Sequence, residues 1–146
     1  MNIVSKSFFR IFSIIILLSG FTFSQDIGKI FTDTEADKLF GEVLEQSVIS
    51  IDELKDMLNS TEKFVMFKVS NEALTVLGDN RSLIFSTKNY VENNEVFHKF
   101  SKSKVLELIN KGFGNQVIVQ KRRKVLTVTY GTFTLELAMG CPPFCE

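Results

Sequence analysis

Histidine is almost missing from this chain. His98 is the sole one among 146 residues, beside two cysteines and two prolines, and 17 lysines and arginines balance 17 aspartates and glutamates. Each shortage excludes something. Zinc takes four N or S ligands, or three and a water, and Cys141, Cys145 and His98 supply three only by converging from distant positions. Both prolines sit together at Pro142 and Pro143, so no Pro-rich linker divides the chain. A formal net charge of zero leaves no bulk positive field to attract nucleic acid or an anionic membrane. G-x-S-x-G, a glycine-rich phosphate loop, H-E-x-x-H and an EF-hand loop are all absent. The expectation is a protein that is not an enzyme and needs no cofactor.

The first two dozen residues differ in kind from the rest. "MNIVSKSFFR" carries Lys6 and Arg10 without an acid, "IFSIIILLSG" is a short apolar block, and "FTFS" ends in small or hydroxyl side chains. That order is the anatomy of a secretory signal peptide. The apolar block is well short of the roughly 20 residues a spanning helix needs. Residues 1–24 are therefore expected to be a leader, with cleavage before Gln25 and no stable membrane span afterwards. No cysteine follows the block to take a lipid. The expected location is secreted or periplasmic.

Residues 25–146 read as one α+β domain with helices packed on antiparallel β-sheet. "TDTEADKLFGEVLEQ" sets Ala36, Leu39, Phe40, Val43 and Leu44 on one helical face, with Thr32 and Glu35 as a capping box. "SIDELKDMLN" repeats the device with Ser50 and Glu53, and groups Ile51, Leu54, Met57 and Leu58. Strands follow at "KFVMFKV", "ALTVLG" and "SLIFS"; the first is apolar on both sides, as a central strand covered twice would be. "TKNYVENNEVFHKF" reads as a loop with a short helix, and "SKSKVLELINKG" as a helix ended by Gly112. Strands return at "QVIVQ", "KVLTVTY" and "TFTLELAM", the last alternating with Phe133, Leu135, Leu137 and Met139 on one face. Helix then three strands occurs twice, at an offset of about 52 residues, which marks residues 33–86 and 95–139 as candidate half-repeats.

Chemistry concentrates in "GCPPFCE". In an exported chain an even number of thiols reads first as a disulfide. A Cys141–Cys145 bond needs their Cα atoms within about 7 Å. Two geometries permit that: a helical turn with the prolines in its first positions, or a turn containing a cis-proline. The competing reading uses Cys141, Cys145 and His98 for thiol redox or for Cu(I), which soft thiolates suit. Lys121, Arg122, Arg123 and Lys124 form the one basic run, a candidate anion-binding turn that also reads as a solvated hairpin. No convergence of His98 with that turn is expected. The leading functional reading is a small exported binding or interaction domain for an unidentified protein or small ligand of the cell envelope or beyond. The alternative is a periplasmic redox or metal-binding protein.

Overall fold

The computed structural model describes residues 26–87, 94–123 and 125–145. The expected leader, residues 1–24, and Lys124 of the basic turn lie outside the described residues. In chain order the elements are β1 (Lys29–Thr32), α1 (Asp33–Phe40), β2 (Val43–Ser50), α2 (Ile51–Asn59), β3 (Phe64–Ser70), β4 (Ala73–Leu77), a 3₁₀ turn (Asp79–Arg81), β5 (Leu83–Ser86), β6 (Phe97–Ser101), α3 (Lys102–Lys111), β7 (Gln116–Arg122), β8 (Leu126–Tyr130), β9 (Phe133–Glu136) and β10 (Met139–Cys141).

Each helix begins where a strand stops, at a residue with a hydroxyl: Thr32, Ser50 or Ser101. Thr32 and Ser50 both form the expected capping boxes, with Glu35 and Glu53 reaching back to the cap amide. Their carboxyls are held below the usual range by the hydrogen bonds from Thr32 and Ser50. Ser101 departs from this pattern. Its Oγ accepts from Ile27 N at 2.7 Å, and its own N–H donates to Ile27 O at 2.9 Å, so it ties the start of the described chain to β6.

The strands form two five-stranded antiparallel sheets, β1-β9-β8-β7-β2 and β10-β6-β3-β4-β5, in a mixed α+β architecture. A strand–helix–three-strand order occurs twice, as β2-α2-β3-β4-β5 and β6-α3-β7-β8-β9. In both runs the leading strand leaves its followers and joins the other sheet: β2 pairs with β7, and β6 with β3. Neither run therefore completes its own sheet. The main apolar cluster draws on both sheets and two helices, with Val65, Phe67 and Phe100 meeting Val117, Val128 and Leu135 alongside Leu54, Leu58, Val105 and Leu108.

β3 has apolar residues on both faces, as its composition implies. Val65, Phe67 and Val69 enter the main cluster, whereas Met66 enters a second one with Leu77, Phe97 and Cys141. Its hairpin to β4 turns through Asn71 and Glu72, both at positive φ, which is the geometry of a tight two-residue β-turn.

Four expectations need correction. A single sheet was expected, and the strands divide into two. The first helix stops at Phe40, because Gly41 at φ 75° leaves the helical region; Val43 and Leu44 belong to β2 and are exposed, as is Leu39. The stretch expected to hold a loop and a short helix ends in a strand, β6 from Phe97, while its residues 88–93 lie outside the described residues. "TFTLELAM" is two strands. The chain turns at Leu137, φ 65°, leaving the first sheet after β9 and entering the second with β10, so Leu137 and Met139 face outward.

Candidate functional site

Cys141 and Cys145 stand at disulfide bonding distance, with Sγ–Sγ 1.99 Å and Cα–Cα 4.8 Å. The Cys141–Pro142 and Pro142–Pro143 peptides are both cis, so of the two geometries that bring the sulfurs together, the turn with cis-proline is the one adopted. Cys141 is fully buried against Met66, Leu77 and Phe97, and Cys145 packs on the same cluster. Arg81 holds the clasp from one side. Its guanidinium donates to the Cys141 carbonyl at 3.1 Å and to the Glu95 carbonyl at 3.1 Å, and lies 5.1 Å from the Phe97 ring centroid. The clasp is thus the edge of a small apolar cluster on the outer face of the second sheet.

Beside it runs a groove of about 800 Å³. One wall is the Asp26–Gly28 segment that Ser101 holds; the other is Leu137, Met139 and the clasp residues Pro143, Phe144 and Cys145. Phe64 and Lys99 complete its lining. Gly28 sits close to the core at φ 121°, where a Cβ would come within 2.9 Å of the Leu135 side chain. Leu137, Met139 and Phe144 remain 53%, 42% and 58% exposed, an unusual concentration of bare apolar side chains at one place. Lys99 is the opposite case, 1% exposed, with its Nζ 4.6 Å from the Phe64 ring centroid. Burial lowers the Lys99 pKa, because a desolvated ammonium is disfavoured.

Asp79 positions Phe64. Its carboxylate accepts from Thr61 Oγ1 at 2.8 Å and from the backbone amides of Glu62, Lys63 and Phe64 at 2.7, 3.1 and 3.0 Å. Burial alone would raise its pKa, but those hydrogen bonds to the charged form outweigh it and leave the pKa lowered. Glu136, just before Leu137, goes the other way: it is buried, and desolvation raises its pKa above the usual carboxylate value.

A second, smaller pocket of about 240 Å³ collects His98, Lys68, Lys121, Arg122 and Arg123. The expectation that His98 and the basic turn stay apart is thereby corrected; β6 and the β7–β8 turn meet across the two sheets, a long-range approach that local pattern does not encode. The cations there have acidic partners. Lys121 meets Glu45 at 2.6 Å, Arg122 meets Asp37 at 2.9 Å, Arg123 meets Glu42 at 3.7 Å and Lys68 meets Glu95 at 3.1 Å. Arg122, buried, also donates to the Gly41 carbonyl and so fastens the end of α1 to β7. Burial lowers the His98 pKa, which keeps the imidazole neutral at pH 7.

The three residues considered for a metal are not gathered. His98 pairs along the strands with Phe67 and Gly140, and lines the second pocket, while the two sulfurs bond to each other. Among the described residues no group of three or more His, Cys, Asp or Glu is placed to hold a metal ion. Nor, among them, is any helix long and apolar enough to cross a membrane. An apolar groove left by the Phe-rich strands is in keeping with the composition, but its place and lining were not foreseen. Its one sequence signal was Lys99 within the apolar "VFHKF", legible only once that stretch is taken as a strand whose alternate residues share a face. No protein-family model matches the chain, and no curated protein and no solved structure matches it either.

Proposed function

We propose that this chain is an exported, non-enzymatic binding domain that takes an apolar small molecule into the groove between the Asp26–Gly28 segment and the disulfide clasp. The observation that carries this reading is the cluster of exposed Leu137, Met139 and Phe144 along a cavity of about 800 Å³. A volume in that range suits a small ligand, and apolar walls with few polar groups are the usual composition of such a site. Export is supported by the basic, apolar and small-residue order of residues 1–24 and by the disulfide. The two runs of strand, helix and three strands are read as copies of one unit, with helices lying over the sheets.

A neutral solvatochromic dye such as Nile red tests the groove. Saturable binding to the oxidised protein is expected, reduced at least tenfold by the pair Leu137→Asp and Met139→Asp, both exposed positions. Folded protein that binds no dye would refute the reading. Intact mass of the exported form should begin at Gln25.

A second reading places an anion against Lys121, Arg122 and Arg123, favoured by their sharing a pocket with His98. It ranks lower because the nearby carboxylates of Glu45, Asp37 and Glu42 already oppose those charges. The redox or metal reading of Cys141, Cys145 and His98 would require two reactive thiols in protein purified without reductant.

A further inference from the structure

We propose that the clasp is a thiol–disulfide exchange site: a dithiol reductant attacks Cys145, Cys141 departs as a thiolate held by Arg81, and the opened clasp releases the ligand of the groove. The release step rests on the groove reading above; the direction of exchange does not.

The two sulfurs differ first in access. Cys141 is fully buried among Met66, Leu77 and Phe97. Cys145 is only partly buried, and it lines both the groove and a neighbouring cavity of about 510 Å³ beside Thr61, Asp79 and Asn80; Cys141 lines neither. An incoming thiolate therefore meets Cys145 first. They differ also in their electrostatics. Besides the two carbonyls it holds, the Arg81 guanidinium donates through Nη1 to Cys141 Sγ at 3.4 Å. Among the described residues no carboxylate pairs with Arg81, so an ion pair does not already neutralise its charge. A disulfide sulfur is a weak acceptor and gains little from this contact, whereas a thiolate in the same place gains a charge-assisted hydrogen bond. Stabilising the leaving thiolate speeds the cleavage.

Exchange balances with the dithiol alone. One of its thiolates attacks Cys145 Sγ, the S–S bond breaks, and the electron pair leaves on Cys141 Sγ. The second thiol then displaces Cys145 from the mixed disulfide. The reductant ends as a disulfide, and its two protons end on the two cysteines. Pro143, Phe144 and Cys145, one wall of the groove, are then no longer tied back to Cys141.

The full chain, purified with the disulfide intact, is treated under native conditions with 2-mercaptoethanol and iodoacetamide together, and peptide mass spectrometry locates each label. Mercaptoethanol on Cys145 with alkylated Cys141 is expected in at least tenfold excess over the reverse. An even or reversed distribution, or a folded protein whose disulfide resists excess dithiothreitol, overturns the proposal without need of a variant. Arg81→Gln should slow reduction by dithiothreitol at least fivefold, and Arg81→Lys should recover part of the rate. A residue that merely held the clasp in place would leave it faster to reduce once removed, so an unchanged or faster rate overturns the role of Arg81. In Cys145→Ser, the ultraviolet thiolate absorbance of Cys141 at neutral pH should fall at least fivefold when Arg81→Gln is added; unchanged absorbance has the same meaning. Nile red in the groove should make the disulfide harder to reduce at equilibrium, by the factor by which reduction weakens dye binding. Reduction through Cys145 that leaves dye affinity unchanged overturns the release step alone. No dye binding to the oxidised protein overturns the groove reading and leaves the direction of exchange standing.

Discussion

Removing the clasp should cost stability throughout the molecule and loosen one wall of the groove. The perturbation is the double variant Cys141→Ala, Cys145→Ala, or reduction of the native protein. The bond spans a sequence separation of four. Closing so short a loop removes unfolded-chain entropy worth about 2 kcal/mol at 25 °C in the chain-entropy treatment. Because that effect acts on the unfolded state, it lowers the melting temperature of the whole protein even though the clasp sits at one edge. At roughly 3–4 °C per kcal/mol for a domain of this length, the expected drop is about 6–8 °C. The main cluster of Val65, Phe67, Val128 and Leu135 contains neither cysteine, so the protein should stay folded at 25 °C. Pro143, Phe144 and Cys145 line the groove, so Nile red affinity should fall several-fold. Melting curves by circular dichroism and dye titrations, each with and without reductant, measure both effects. A melting temperature unmoved by verified reduction would refute the stability estimate. An unchanged dye affinity would refute the clasp as a wall of the site.

Two further substitutions probe the supports of the groove. Asp79→Asn replaces a carboxylate that gathers three backbone amides and the Thr61 hydroxyl, and should lower stability at pH 7 by about 1.5–3 kcal/mol, the range for hydrogen bonds to a charged group. Since folding lowers the Asp79 pKa, its contribution is complete above the unfolded value near 3.8 and is lost as pH falls through the lower folded value. The gap between wild type and variant in urea denaturation should therefore narrow as the pH falls below the unfolded value, and a gap that stays constant with pH contradicts the assignment. Leu137→Gly relieves a side chain held at φ 65°, which for a residue with a Cβ costs about 1–2 kcal/mol, partly offset by glycine's greater freedom when unfolded. Stability should rise slightly while dye affinity falls; a loss of both would show that Leu137 packs more than it lines.

Local chemistry was legible wherever one stretch of chain supplies all the partners. Thr32 with Glu35 and Ser50 with Glu53 close hydrogen bonds three residues apart, so spacing alone announces them. The cysteine pair is of the same kind, four residues apart with a turn between. Gly41 misled because Val43 and Leu44 continue a helical period by coincidence, and one glycine at positive φ was enough to end the helix. Leu137 misled in the same way. Apolar alternation runs through it unbroken, yet the chain changes sheet there.

The amino-acid sequence by itself determined the capping of the first two helices, the two-faced character of β3 and the nearness of the two sulfurs, because all of these depend on dihedral preference and side-chain period over a few residues. Tertiary structure decided which strands pair. The crossing of β2 and β6 between sheets, and the register that sets Met139 of β10 beside Lys99 of β6, join residues far apart in the chain. Periodicity assigns a residue to a face but does not say which strand will lie next to it. The groove exists only through that choice: an ordinary lysine becomes a buried cation when β10 and the clasp close over it.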